Sequence, residues 1–141
     1  MLSVALLMNS LSLWVAQTLA SAFLAILFLQ SGLDKVFDWK GNKEYIGGYF
    51  SKSPLAGFST LLLFNITVLE VLAGIVCAAG CITVLLTRNS TIAFVGAALA
   101  GLNVVSLFFG QRLVKDYAGA SGMVPYGVFA IGSVLLQGST L

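Results

Sequence analysis

Charged residues are absent from four long stretches of the chain, and this pattern predicts its main elements. Residues 1–32 carry no charge, residues 56–87 carry only Glu70, and residues 89–111 and 118–141 carry none. A helix of roughly 20 apolar residues crosses the hydrocarbon core of a bilayer, which is about 30 Å thick. We therefore predict four membrane-spanning helices, because a backbone in lipid must satisfy its hydrogen bonds internally. Their approximate bounds are 11–32, 54–86, 90–110 and 122–137.

The polar segment that follows the first span, residues 34–53, mixes four lysines with five aromatic residues. Cations and aromatic rings are both accommodated in the headgroup region of a membrane. We predict a short interfacial helix at 42–50 and place Pro54 in the first turn of the second span, where proline is tolerated.

Small and polar residues recur at helical spacing along the spans, which indicates how the helices meet. Thr67, Glu70, Gly74, Cys77 and Cys81 fall at steps of three or four on the second span. Small residues at such positions let membrane helices approach closely. The expected fold is all-α, a single integral membrane four-helix bundle without a wide pore.

Composition narrows the classes of function. Hydrophobic residues make up 59% of the chain and charged residues 9%, whereas about a quarter of a soluble protein is charged. The net charge of +2 is too small to suggest binding to nucleic acid. With no histidine and only two cysteines, in a CxxxC spacing, we expect no metal or haem centre. Cys77 and Cys81 are expected to be inert packing residues. Whether the chain is an enzyme stays open, with catalysis by the chain alone disfavoured.

The cations predict an orientation. Residues 34–53 contain four lysines and residues 111–121 contain two cations, whereas the loop on the other side has only Arg88. The positive-inside rule places both cation-rich loops in the cytoplasm and both termini outside. The first span lacks a basic region before it, so we expect it to be retained as a membrane helix and not removed as a signal peptide.

Glu70 is the first candidate functional residue, because a carboxylate inside a membrane is costly and often functional. Two interpretations stay open. Glu70 relays a proton or binds a ligand, or it is a neutral acid that hydrogen-bonds to Thr67, Asn103 or another helix.

The second candidate is a ligand site at the cytoplasmic ends of the first and third spans. Its cations, carboxylates, amides and phenol suit the headgroup of a quinone or a lipid. The alternative is a set of membrane anchors with an Arg112–Asp116 ion pair at helical spacing. The candidate residues are Gln30, Asp34, Lys35, Gln111, Arg112, Lys115, Asp116 and Tyr117.

Two segments, FLQSGLDKVFDWKGN at 28–42 and FFGQRLVKDYAGASG at 108–122, resemble the DoxX family of small bacterial four-span membrane proteins. The shared features are Gly-x-x-Lys at Gly32 and Lys35, an acid in the second span at Glu70, and the run from Gln111 to Ala120. The resemblance implies a bacterial inner membrane protein linked to quinone-dependent electron transfer.

The resemblance and the missing metal ligands together favour one function. We expect an accessory subunit of a larger respiratory or quinone-linked membrane complex, with a quinone as the possible cofactor. The alternative is a quinone-reactive oxidoreductase subunit that uses Glu70 and the cytoplasmic ends of the first and third spans. A conductor of protons or small solutes is a weaker third hypothesis.

Overall fold

The computed structural model describes residues 1–141 and contains helices but no strands. Four of the helices are long and apolar enough to cross a membrane. The prediction of an all-α membrane bundle with a short helix after the first span is confirmed. The elements are α1 (Leu2–Phe37), α2 (Trp39–Tyr49), a 3-10 turn (Ala56–Phe58), α3 (Ser59–Thr87), α4 (Thr91–Leu113) and α5 (Tyr117–Gly138).

The four long helices pack in chain order, so that α1 lies against α3, α3 against α4, and α4 against α5. Contacts between α1 and α5 are fewer, and α2 packs mainly against α3. We call the end of the bundle that carries α2 and the α4–α5 turn the α2 face. The end that carries the α3–α4 turn is the opposite face.

Two glycines of α3 permit the close approach that the small-residue stripe predicted. A Cβ atom at Gly74 would lie 2.7 Å from the backbone nitrogen of Leu29 on α1. A Cβ atom at Gly80 would lie 2.5 Å from the Cα atom of Ala93 on α4. The backbone of α3 therefore touches both of its neighbours, as in other membrane bundles.

The centre of the bundle is a continuous apolar cluster to which all four long helices contribute. The outer surface carries many large exposed hydrophobic side chains, as expected for a surface that faces lipid. The buried cluster fills the space between the helices at this level. Its members are Leu24, Ala25, Phe28, Ala73, Cys77, Ala97, Ala100, Val104 and Ala130.

Helix bounds differ from the predicted ones where side chains cap the ends. Helix α2 begins at Trp39 and not at residue 42, because the Asp38 carboxylate accepts a hydrogen bond from Gly41 N at 3.2 Å. Helix α5 begins at Tyr117 and not at residue 122, because the Asp116 carboxylate accepts from Gly119 N at 3.0 Å. Capping by an aspartate thus extends both helices.

The start of α3 is later than predicted. Pro54 does not lie in its first turn, because residues 51–58 form turns and the helix begins at Ser59. The Ser53 hydroxyl donates to Phe50 O at 2.9 Å and accepts from Leu55 N at 3.2 Å, which holds the chain in a turn around Pro54. Helix α1 is longer than the predicted span of 11–32. It runs from Leu2 to Phe37, which is about 54 Å at 1.5 Å per residue.

Candidate functional site

Glu70 lies deep in the bundle. At 1.5 Å per residue it is about 16 Å along α3 from Ser59, the first residue of the helix. Its side chain is 1% exposed and lies at the interface of α3 with α1. A charged group at this depth needs a partner, because lipid and apolar side chains offer none.

The partner of Glu70 is Lys35 on α1. Lys35 Nζ lies 2.8 Å from Glu70 Oε2, and the Ser31 hydroxyl donates to Glu70 Oε1 at 3.1 Å. Lys35 Nζ also donates to Ser31 Oγ at 3.0 Å and to Ser31 O at 3.3 Å. One turn of α1 therefore supplies both groups that hold the carboxylate.

Gly32 explains why α1 comes close enough for this ion pair. A Cβ atom at Gly32 would lie 3.0 Å from the backbone nitrogen of Val71 and 3.3 Å from the Cβ atom of Glu70. The Gly-x-x-Lys pattern thus has a physical basis here. Glycine brings the helices together, and the lysine on the next turn reaches the acid.

Of the hydrogen-bond partners expected for Glu70, the other helix is α1, through Ser31, and neither Thr67 nor Asn103 bonds to it directly. The Thr67 hydroxyl donates instead to Leu63 O at 2.7 Å, and the Asn103 amide makes no hydrogen bond. The sequence pattern places Lys35 in the headgroup cluster and does not indicate its pairing with Glu70. Two features of the sequence were consistent with this pair. A lone acid in a span needs a cation as its partner, and Lys35 lies at the end of the neighbouring span.

A cavity of about 470 Å³ opens beside α2, between the first half of α3 and the last turns of α4. Most of its lining is apolar. The aromatic residues Tyr45, Tyr49 and Phe50 form its α2 wall, and Gly110 lies opposite Phe50, where a Cβ atom would come within 3.3 Å of the ring. Tyr45 and Tyr49 stack with ring centroids 5.8 Å apart. This volume lies in the usual range for pockets that bind small molecules.

Polar groups gather at the end of the cavity nearest the α4–α5 turn. The Tyr49 hydroxyl donates to Asp116 Oδ2 at 2.7 Å. Burial and then this bond to Asp116 raise the pKa of Tyr49, whereas the bonds from Tyr49 and Gly119 N lower the pKa of Asp116. Gln111 Oε1 is buried here without a hydrogen-bond partner. An amphipathic ligand would therefore meet aromatic walls and hydrogen-bonding groups together.

The predicted site residues divide into separate groups. Gln111 and Asp116 line the cavity, and Lys35 faces Glu70 at a distance from it. The remaining five are exposed or partly exposed and line neither place. They are Gln30, Asp34, Arg112, Lys115 and Tyr117. The assignment of all eight residues to one ligand site stays a prediction, and two of the eight, Gln111 and Asp116, line the cavity.

The predicted Arg112–Asp116 ion pair is absent. Helix α4 ends at Leu113, and Lys115 has a positive φ of 62°, so residues 112 and 116 no longer share a helical face. The Arg112 guanidinium lies 4.5 Å from the centroid of the Tyr117 ring instead. The hydrogen bond from Tyr49 to Asp116 was also not expected from the sequence, in which Tyr49 was only one of the headgroup aromatics.

The family model described as DoxX matches residues 16–112, well over half of the chain. The chain belongs to the DoxX family. The match covers the α1–α3 ion pair, α2 and most of the cavity lining, but it ends before Asp116. No curated protein and no solved structure matches the chain. The family and the four apolar helices establish a multi-pass membrane protein of the DoxX type.

Proposed function

We propose that this DoxX protein is a small accessory subunit of a larger quinone-linked membrane complex, and that its cavity holds the ring of a quinone. The cavity beside α2 carries this proposal. Its walls are apolar and aromatic, and its polar end presents Tyr49, Gln111 and Asp116. A quinone combines these two characters, because its ring is flat and apolar while its oxygens accept hydrogen bonds in the oxidised form and, as hydroxyl groups in the reduced form, donate them to acceptors such as Gln111 Oε1.

The expected orientation supports the same function. The cavity lies near the α4–α5 turn, on the face that carries most of the cations. We place this face in the cytoplasm by the positive-inside rule. A lipid-soluble ring could enter from the bilayer while its polar end stays at the headgroup level.

A quinone-reactive subunit with Glu70 as the proton group is the second candidate. Leu69 lines the cavity, but the next residue, Glu70, faces Lys35 on α1. General acid–base catalysis needs the proton donor within hydrogen-bond reach of the reacting group. This separation favours a role in which Glu70 stabilises the bundle and the complex supplies the chemistry.

A photoreactive azidoquinone tests the cavity in membranes that contain the protein. Leu107 lines the cavity, so Leu107→Trp fills it, whereas Leu102→Trp adds the same volume on the exposed side of α4. We expect labelling of the Leu107 variant to fall about tenfold, which corresponds to about 1.4 kcal/mol of binding free energy. Equal labelling of the two variants would refute quinone binding in this cavity.

Purification in mild detergent tests the accessory role. We expect the protein to elute with larger membrane subunits and the complex to lose quinone-linked activity when the gene is deleted. Recovery only as a free small bundle, together with unchanged activity after deletion, would refute the role as a subunit even if quinone labelling succeeds.

A further inference from the structure

Asn103 on α4 is the one fully buried polar side chain whose amide makes no hydrogen bond at all. It is 0% exposed, and both Nδ2 and Oδ1 lack a partner. By contrast, Gln17 and Gln137 near the opposite face are also buried, but each donates from its amide, to Thr140 and Ser21 among others. An unpaired buried amide costs about 1–3 kcal/mol, so Asn103 calls for a partner.

The helix register places Asn103 at the level of Glu70. Helices α3 and α4 run in opposite directions, and a Cβ atom at Gly96 would lie 2.9 Å from the backbone nitrogen of Cys77. Two helical turns nearer the α2 face, the same register brings Glu70 of α3 opposite Asn103 of α4. Positions seven apart on a helix lie on nearly the same face, so Glu70 shares a face of α3 with Cys77, and Asn103 shares a face of α4 with Gly96.

The Glu70 carboxylate has hydrogen-bonding capacity that the structure leaves unused. Its Oε2 atom lies 2.8 Å from Lys35 Nζ and has no other hydrogen-bond partner. A carboxylate oxygen can accept more than one hydrogen bond. The carboxylate therefore retains one acceptor atom, and the amide of Asn103 retains one donor group and one acceptor atom.

We propose that a buried water molecule bridges Asn103 and Glu70 inside the bundle. Water can donate to Glu70 Oε2 and to Asn103 Oδ1, and it can accept from Asn103 Nδ2. Buried waters typically satisfy polar groups of this kind with about three hydrogen bonds. A bound cation fits less well, because Lys35 already balances the charge of the one carboxylate present.

The water would be reached from the α2 half of the bundle. The apolar cluster that includes Ala73, Cys77 and Ala100 separates it from the opposite face. Lys35, in contrast, is 18% exposed, so the ion pair is connected to the surface at the α2 face. Through this water the polar centre would extend from α1 across α3 to α4. The proposal does not depend on a quinone in the cavity.

Nuclear magnetic resonance of the protein in detergent micelles tests this water directly. The chain contains two glutamates, Glu70 and the exposed Glu44, so labelling the glutamate side-chain carboxyl carbon gives two signals with an internal reference. In the native protein we expect a cross-peak between water and the side-chain amide protons of Asn103. In Asn103→Leu, which removes the bridge, we expect the Glu70 signal to shift and the Glu44 signal to stay.

Two further variants keep the test decisive. Asn103→Ser retains a hydroxyl and makes room for water, so it should keep the Glu70 signal close to the native position even if the Leu variant fails to fold. Ser106→Ala, one turn away on an exposed position, should leave Glu70 unchanged. The absence of a water cross-peak at Asn103, or a Glu70 signal that stays in place when Asn103 becomes leucine, would overturn the proposal.

Discussion

Replacing Lys35 with methionine should destabilise the bundle strongly, because it leaves the Glu70 carboxylate buried without a cation. The two charged groups are 2.8 Å apart, and Glu70 is 1% exposed. At an effective dielectric constant of about 20, a pair at this distance attracts by about 6 kcal/mol before the cost of removing both charges from water. Removing one partner of a buried pair costs about 3–5 kcal/mol. We expect a loss in this range for Lys35→Met.

Glu70→Gln should cost less, about 1–2 kcal/mol. The amide oxygen of Gln can still accept from the Ser31 hydroxyl, and the Lys35 ammonium, already partly exposed, can extend toward the α2 face. Combining the two substitutions should then restore much of the stability that Lys35→Met alone removes. This asymmetry distinguishes an ion pair from two independent packing residues.

Unfolding in detergent, followed by the fluorescence of Trp14 and Trp39, measures these free energies. Lys43→Met is the matched control, because Lys43 is exposed on α2 and contacts no acid within ion-pair distance. The reasoning would be refuted if Lys35→Met cost no more than Lys43→Met, or if the double variant were less stable than Lys35→Met.

Two more predictions concern α2 and the helix contacts. Because folding lowers the pKa of Asp116, its carboxylate stabilises the fold above its ordinary pKa of 3.8, and this contribution is lost as the pH falls below that value. Because folding raises the pKa of Tyr49, its hydroxyl stabilises the fold below its ordinary pKa of 10.0, and this contribution is lost as the pH rises above that value. Absorbance titration should show one of the four tyrosines ionising last, and Asp116→Asn should make that step earlier; an unchanged titration would contradict the bond. Gly80→Ala should cost about 1–3 kcal/mol by its clash with Ala93, whereas Gly101→Ala, with open space around it, should stabilise by up to about 1 kcal/mol. Equal thermal stability of these two variants would contradict the packing.

The pattern of charge predicted the number and type of helices because lipid imposes a simple rule. Any span must be a helix of nearly uncharged residues, so the four gaps between charges located the spans directly. The ends were less predictable. Whether α5 starts at Tyr117 depends on the geometry of the Asp116 cap, and a turn around Pro54 depends on Ser53.

The candidate site was harder to predict, since it depends on distances between helices. The sequence identified Glu70 as an acid that is costly to bury. It did not reveal that α1 ends soon after the level of Glu70, whereas α3 and α4 extend further toward the α2 face. That stagger places Lys35 beside Glu70 inside the bundle, whereas the cavity lies between α2, α3 and α4. A count of loop cations could not distinguish a lysine in the headgroup region from a lysine that faces an acid.

The ion pair and the cavity are linked through the chain. Asp38 ends α1 and caps α2, and it lies only three residues after Lys35, so the position of α2 follows the docking of α1 on α3. At its far end α2 is held by the bond from Tyr49 to Asp116, which itself caps α5. The α2 wall of the cavity is therefore held at one end by the Asp38 cap that follows α1 and at the other end by the Tyr49–Asp116 bond. A loss of the Lys35–Glu70 pair would free the first of these ends, and with it the aromatic wall that the proposed ligand would contact.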